Sequence, residues 1–330
     1  MLIVEITLAI FGLILLSAGG YVLVAGGAAL AKRLQISSMV VGLTVVAYGT
    51  STPELAASLT AVFNSHTDLI LGNIVGSNIS NIGMVIGISA MIATGLVIDG
   101  KKRNGLGMRR RVVTKWLPIM IFVSFLMLLL SFDGEMSQID GAILVAGLIV
   151  FTIYIVKSAK KQIPVDDVIE DEDPSGDMAI SRFKVNTTPR AIFAVVVGAV
   201  LLFMGGDLTV DGAVNVAEDL GISELVIGVV IVAIGTSLPE LITSVIAIRK
   251  KQMDIGIGNI VGSNIYNILL IGGISATLIG IPVSTDVFSN YYIMIAFSLV
   301  LFIGFRKFIP RFVGIGLAMA FVAYLVSLLV

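Results

Sequence analysis

No cysteine occurs in the 330 residues, which removes disulfides, thiolate metal sites and thiol nucleophiles together. Histidine is nearly as scarce: His66 stands alone, so no imidazole cluster can hold zinc or copper. Charge is the third shortage. Lys, Arg, Asp and Glu make up only 13% of the chain, where about a quarter is usual for a soluble domain. The two signs nearly cancel to a net charge of −1, which leaves no basic footprint for nucleic acid. What fills the chain is apolar, with 57% hydrophobic residues and a mean hydropathy of +1.05. These values predict an all-α polytopic membrane protein lying in the lipid bilayer.

Windows of about 19 residues place apolar spans near 2–31, 37–63, 68–98, 116–132 and 139–156. A second set follows near 190–217, 223–248, 254–281, 290–305 and 312–330. The first span begins almost at Met1 and has no basic leader, so it is expected to be retained and not cleaved. Ten transmembrane helices are thus predicted, in two sets of five covering 1–156 and 190–330. The stretch 157–189 joins them and carries the acidic run from Val165 to Pro174. That run lacks the glycine and glutamate that an EF-hand loop needs at its sixth and twelfth positions. It is expected to be a solvated linker.

The basic residues give the orientation. All 21 Lys and Arg fall after the first, third, fifth, seventh and ninth spans. The opposite loops carry Asp133, Glu135, Glu218, Asp219 and Asp286. Because Lys and Arg accumulate in cytoplasmic loops, both termini are predicted outside the cell membrane. An odd number of spans per set then makes the first helix run inward and the sixth outward. Two halves of that kind are inverted repeats, an architecture of transporters with a binding site near the bilayer midplane.

The repeat is visible in the residues. Gly49-Thr50-Ser51-Thr52-Pro53-Glu54 recurs 186 positions later as Gly235-Thr236-Ser237-Leu238-Pro239-Glu240. Gly72-Asn73-Ile74-Val75-Gly76-Ser77-Asn78-Ile79 recurs unchanged as Gly258-Asn259-Ile260-Val261-Gly262-Ser263-Asn264-Ile265 at the same offset. The duplicated motifs cover 42–81 and 228–267. Gly19-Gly20 and Gly205-Gly206 extend the match upstream.

An ionisable residue inside an apolar span is a functional-site hypothesis by default. Pro53 and Pro239 lack an N–H, so each leaves a carbonyl one turn back, at Gly49 and Gly235, without its helical donor. Non-helical backbone at membrane depth survives only where it is buried in protein or lines a wet cavity. These carbonyls, the hydroxyls of Thr50, Ser51, Thr236 and Ser237, and the carboxylates of Glu54 and Glu240 form an all-oxygen set. Hard cations require such a set, calcium taking six to eight oxygens. Two carboxylates in low dielectric repel one another unless a cation or protons neutralise them, so one divalent ion, two sodium ions or protons could exchange there. Ser77 shares a helix face with Asn81, and Ser263 with Asn267. One such motif would equally serve helix packing; two copies beside two glutamates favour a cation site.

Other residues carry weaker signals. Asp207 and Asp211 lie one turn apart near the outer end of the sixth span and are expected to be a solvated helix end, with an outward vestibule that attracts cations as the alternative. Asp68 and Asp254 match in the repeat and are expected to cap their helices. Trp116 beside Lys115 is expected to anchor a span at the membrane interface. His66 falls in a short outer loop with no role assigned.

The two motif pairs resemble the alpha repeats of the cation/calcium antiporter superfamily, in its compact prokaryotic sodium/calcium exchanger branch. The resemblance implies ten helices in inverted five-helix repeats, with spans 2, 3, 7 and 8 around the ions and spans 1 and 6 sliding across them. It implies several sodium ions, about three, moved inward against one calcium outward. The ligands it implies are Glu54, Glu240, the hydroxyls of Thr50, Ser51, Thr236, Ser237, Ser77 and Ser263, and the carbonyls of Ala47 and Ala233. Asn81 carries over as a polar neighbour, with Asn267, Asn78 and Asn264 also near. Several relatives have an aspartate where Asn267 stands, which leaves this site two acids and weakens the case for potassium co-transport.

The nearest alternative is a proton/calcium antiporter on the same fold, and a cation channel is the next. A hydrolase built on Ser51 or Ser237 fails, because neither serine has a His or Lys inside the membrane as its base. No G-x-S-x-G elbow surrounds either one. The protein is therefore expected not to be an enzyme, to need no cofactor or obligatory protein partner, and to handle calcium, sodium and protons as cargo or competitors.

Overall fold

The computed structural model describes residues 2–64, 66–94, 96–98, 101–159, 185, 187–221 and 233–329. The acidic run of the predicted linker and the start of the seventh span lie outside these residues. The described chain forms ten helical stretches. They are α1 (Leu2–Leu34), α2 (38–63, interrupted at Ser51), α3 (67–92), α4 (Val112–Leu130) and α5 (Gln138–Ala159). The second set is α6 (Thr188–Asp219), α7 (233–249, interrupted at Ser237), α8 (Met253–Ile279), α9 (Thr285–Arg306) and α10 (Arg311–Ser327). Among the described residues, α1, α3, α4, α5, α6, α8 and α9 contain runs long and apolar enough to cross a membrane. α4 and α9 start earlier than their spans suggest, at Val112 and Thr285.

Local chemistry sets the ends. Ser37 accepts from the Val40 N–H at the start of α2 (3.3 Å), and Thr187 accepts from Arg190 at the start of α6, with Pro189 in the first turn. α8 stops at Gly280, whose φ of 65° needs a residue without Cβ. Asp254 does not cap α8. The cap is Gln252, and Asp254 sits in the first turn, where it pairs with Arg109 at 3.0 Å. The side chain of Asp68 lies outside the described residues.

α3 and α8 form the centre. α8 is buried along nearly its whole length, whereas most of the apolar residues of α1, α5 and α6 are not buried within the protein. α1 and α6 lie against one another in opposite directions. Gly12, Gly19 and Gly26 of α1 meet the backbone of 205–209, 198–202 and 191–195 in turn, and Gly198, Gly205 and Gly212 answer from α6. The heptad spacing keeps both glycine rows on the shared face, so the two backbones approach without Cβ atoms between them.

Short strands tie the loops. β1 (Leu96–Ile98) pairs with β2 (Lys101–Arg103), and β3 (Gly105–Gly107) pairs with β6 (Phe308–Pro310). β4 (Glu135–Met136) pairs with β5 (Ile281–Pro282). The β3–β6 ladder joins two of the basic loops, and the β4–β5 ladder joins two of the acidic ones. Trp116 is no interfacial anchor: it is only 4% exposed, with Lys115 Nζ 4.3 Å above its ring and Phe151 and Tyr154 edge-on.

Candidate cation site

Two helix breaks define the site. α2 stops being regular at Ser51 (φ −85°, ψ 9°) and α7 at Ser237 (φ −89°, ψ 3°). In each case a new half-helix starts at the next residue, with the proline in its first turn, where a missing N–H is tolerated. Glu54 and Glu240 therefore sit in the first turn of a half-helix, whose positive dipole end favours a carboxylate. The preceding half-helix ends at Thr50 or Thr236, presenting its negative end to the same place.

α3 and α8 reach the breaks with a second irregularity. Each widens into a π-helical segment that begins at the paired asparagine, Asn81–Ile86 in α3 and Asn267–Gly272 in α8. Such segments turn side chains off the α-helical register. Gly258 and Gly262 let α8 approach α2. A Cβ at Gly262 would stand 2.7 Å from the Ala47 Cβ and the Leu43 carbonyl. The equivalent partner of Gly72 and Gly76, residues 225–233, lies almost wholly outside the described part.

Glu54, Glu240, Thr50, Ser51, Ser77, Ser237, Ser263, Asn78, Asn81, Asn264 and Asn267 are all buried, and Thr236 is half-buried. Ser51 Oγ donates to Glu240 Oε1 (3.0 Å), and Ser263 Oγ reaches the same oxygen (3.3 Å). These contacts bind α2 to α7 and α8. Glu54 lies beside Glu240. Four amides form the centre: Asn81 Nδ2 donates to Asn264 Oδ1 (3.0 Å), and Asn267 Nδ2 donates to Asn78 Oδ1 (3.1 Å).

Several buried oxygens in this cluster have no hydrogen-bond partner among the described residues: both of Glu54, Oε2 of Glu240, Oγ of Ser237, and Oδ1 of Asn81 and Asn267. Buried polar atoms are nearly always partnered, and this concentration of acceptor oxygens suits a cation. Among the described residues no three His, Asp or Glu side chains come together. The formal charge of the cluster thus comes from Glu54 and Glu240.

The carbonyl of Ala47 accepts the Ser51 N–H (3.0 Å) and lies 3.2 Å from the Thr50 hydroxyl. In α7 the Ser237 N–H turns instead to Ile234 (3.1 Å), so the two breaks are not identical. Asp207 and Asp211 are exposed on α6, beside Gly206, which packs toward Pro239, and Val210, which covers Gly235. They stand apart from the buried oxygens.

Four participants lacked an assigned role in the sequence. Asn73 Nδ2 donates to Ser58 Oγ (2.8 Å) and to the Glu54 carbonyl (3.0 Å), and Asn259 Nδ2 donates to Ser244 Oγ (3.1 Å). The serines lie one helical turn after each glutamate and match at the 186-residue offset, the signal by which they could have been found.

Comparison with known proteins agrees with this arrangement. The family model described as sodium/calcium exchanger protein matches residues 4–157 and 190–330. The chain is 33% identical to the putative antiporter CaxA of Alkalimonas amylolytica, over 95% of each protein. It is 32% identical to the sodium/calcium exchanger MaX1 of Methanosarcina acetivorans, over 99% of each. Its fold is similar to that of the sodium-calcium exchanger NCX_Mj soaked with sodium and strontium, with a TM-score of 0.80, 29% identity and 99% of each chain covered.

Proposed function

The chain belongs to the sodium/calcium exchanger family, and on that footing we propose that it carries several sodium ions, about three, inward against one calcium outward. The halves 1–156 and 190–330 act as inverted five-helix repeats that expose one central site alternately to either side. Glu54 and Glu240 are the central ligands. Thr50, Ser51, Ser77, Thr236, Ser237 and Ser263 supply hydroxyls, Ala47 and Ala233 carbonyls, and Asn81 and Asn267 the polar surround.

The observation that carries this reading is the pairing of two broken helices, each presenting a buried glutamate, around unpartnered oxygens. A divalent cation held there would neutralise both carboxylates, and sodium ions would do so in its place. This mutual replacement is the basis of coupled exchange. The sharing of one ladder by two basic loops and another by two acidic loops supports a topology with cytoplasmic basic loops and both termini outside the cell membrane.

Calcium uptake into sodium-loaded proteoliposomes diluted into sodium-free buffer tests the proposal. Uptake should need the sodium gradient, ignore a proton uncoupler and vanish in Glu54→Gln and Glu240→Gln. A second reading, proton/calcium antiport, draws on the amide at Asn267, which leaves two carboxylates to match two protons. Uptake driven only by an imposed pH gradient would favour it, and uptake coupled to neither gradient would indicate a channel.

A further inference from the structure

A hydroxyl has one proton and two lone pairs, and it ligates a cation only if the proton points elsewhere. The Thr50 hydroxyl stands 2.9 Å from Asn259 Oδ1, nearer than the Ala47 carbonyl (3.2 Å) or Ser263 Oγ (3.4 Å), and it also lies beside Glu240. Asn259 Nδ2 in turn donates to Ser244 Oγ (3.1 Å), and Ser244 Oγ donates to the Gly256 carbonyl (3.4 Å). The last member of this row can only accept. Its polarity therefore runs back through the row: Ser244 gives its proton to Gly256, receives from the Asn259 amide, and leaves the amide oxygen facing Thr50.

The other half repeats the arrangement in one direction. Asn73 spends its amide protons on Ser58 and the Glu54 carbonyl, and its Oδ1 faces the Ser77 hydroxyl at 3.5 Å. Ser51 and Ser263 place their protons on Glu240. The contact of Thr50 with Asn259 crosses from one half of the chain to a neutral acceptor in the other.

We propose that Asn259 is a positioning residue for ion binding: it takes the Thr50 proton, held in that orientation by Ser244, and so turns the Thr50 lone pairs to the ion. This rests on the reading of Thr50 as a ligand. The effect falls mainly on sodium. A monovalent ion draws a larger share of its binding from neutral dipoles, whereas calcium is dominated by Glu54 and Glu240.

The test is a double-variant cycle on transport by the full chain in proteoliposomes. Asn259→Leu should raise the half-saturating sodium concentration about five- to tenfold, the worth of one hydrogen bond, with a smaller change for calcium and in maximal rate. In the Thr50→Val background Asn259→Leu should add nothing. Ser244→Ala, a smaller change that frees the amide to rotate, should shift sodium in the same direction by less, which keeps the test open if Asn259→Leu folds poorly. Additive effects of Asn259→Leu and Thr50→Val, or a lowered rate with unchanged sodium half-saturation, would overturn the positioning role. Thr50→Val with no effect on either ion would instead overturn Thr50 as a ligand.

Discussion

Asn78 and Asn264, 186 residues apart, each extend an amide to the other's main chain: Asn78 Nδ2 lies 3.2 Å from the Asn264 carbonyl and Asn264 Nδ2 lies 3.5 Å from the Asn78 carbonyl. Equivalent residues of two matching segments thus hold one another. Reciprocity of this kind requires the two segments to face each other across a local twofold relation. It joins α3 and α8 into a single central unit.

Removing one member should cost more than the bond itself. Asn78→Leu leaves the Asn267 amide without its acceptor in a fully buried place. Interhelical hydrogen bonds in membrane proteins average well under 1 kcal/mol, but a stranded buried donor adds about 1–3 kcal/mol. Thermal unfolding in detergent should show Asn78→Leu to be destabilised by about 1–3 kcal/mol, and Asn78→Leu with Asn267→Leu by less than the sum of the single changes.

Ion binding should be measurable without transport. A ligand that binds only the folded state stabilises it by about 2.7 kcal/mol at one hundred times its dissociation constant. Calcium should therefore raise the unfolding temperature of the native chain and leave Glu54→Gln and Glu240→Gln nearly unmoved. Stabilisation that persists in both variants would place the ion elsewhere.

If Glu54 and Glu240 hold the cation as proposed, protons and cations compete for the same carboxylate oxygens, so acidification should act as competition. Lowering the pH should raise the half-saturating calcium concentration while leaving the rate at saturating calcium nearly unchanged. A fall in maximal rate with constant half-saturation would mean that the proton acts on a step other than binding.

Much of this was legible in the sequence because duplication doubles every signal. Helix breaks are expected from Gly49, Pro53, Gly235 and Pro239, and the interruptions fall between those residues, at Ser51 and Ser237; the burial of Glu54 and Glu240 follows from their place in apolar spans. Less visible was what depends on side-chain direction. The expected cap at Asp254 is an ion pair, since Arg109 approaches from a different loop, and Trp116 turns inward because Phe151 and Tyr154 offer an aromatic bed. Ser58 and Ser244 escaped because a serine in an apolar helix has no local signature; only their partner asparagines, 15 residues along the chain, give them a role.

Close approach of α8 to α2 can be tested with one methyl group. At Gly262 a Cβ would meet Ala47 and Leu43 at 2.7 Å, one of them through backbone, so Gly262→Ala should destabilise the fold and displace the Ala47 region. Gly316 of α10 has open space around it, and Gly316→Ala should be neutral or stabilising by up to about 1 kcal/mol. Equal effects at the two positions would mean that α8 has room to withdraw.

Lys250 Nζ lies 2.9 Å from the Tyr21 ring centroid, where α1 crosses the end of α7; the side chain is half-buried, and its buried nitrogen has no hydrogen-bond partner among the described residues. A desolvated ammonium over an aromatic face gains about 2 kcal/mol from the ring, which offsets part of its lost hydration. The two partners are therefore not equivalent. Tyr21→Leu strands a buried charge, whereas Lys250→Met removes the charge and its burial cost together while keeping a side chain of similar length. Tyr21→Leu should lower stability clearly more than Lys250→Met, and in a Lys250→Met background it should cost only its lost packing. Equal single effects in thermal unfolding would show that water reaches the ammonium and that the ring contributes contact area alone.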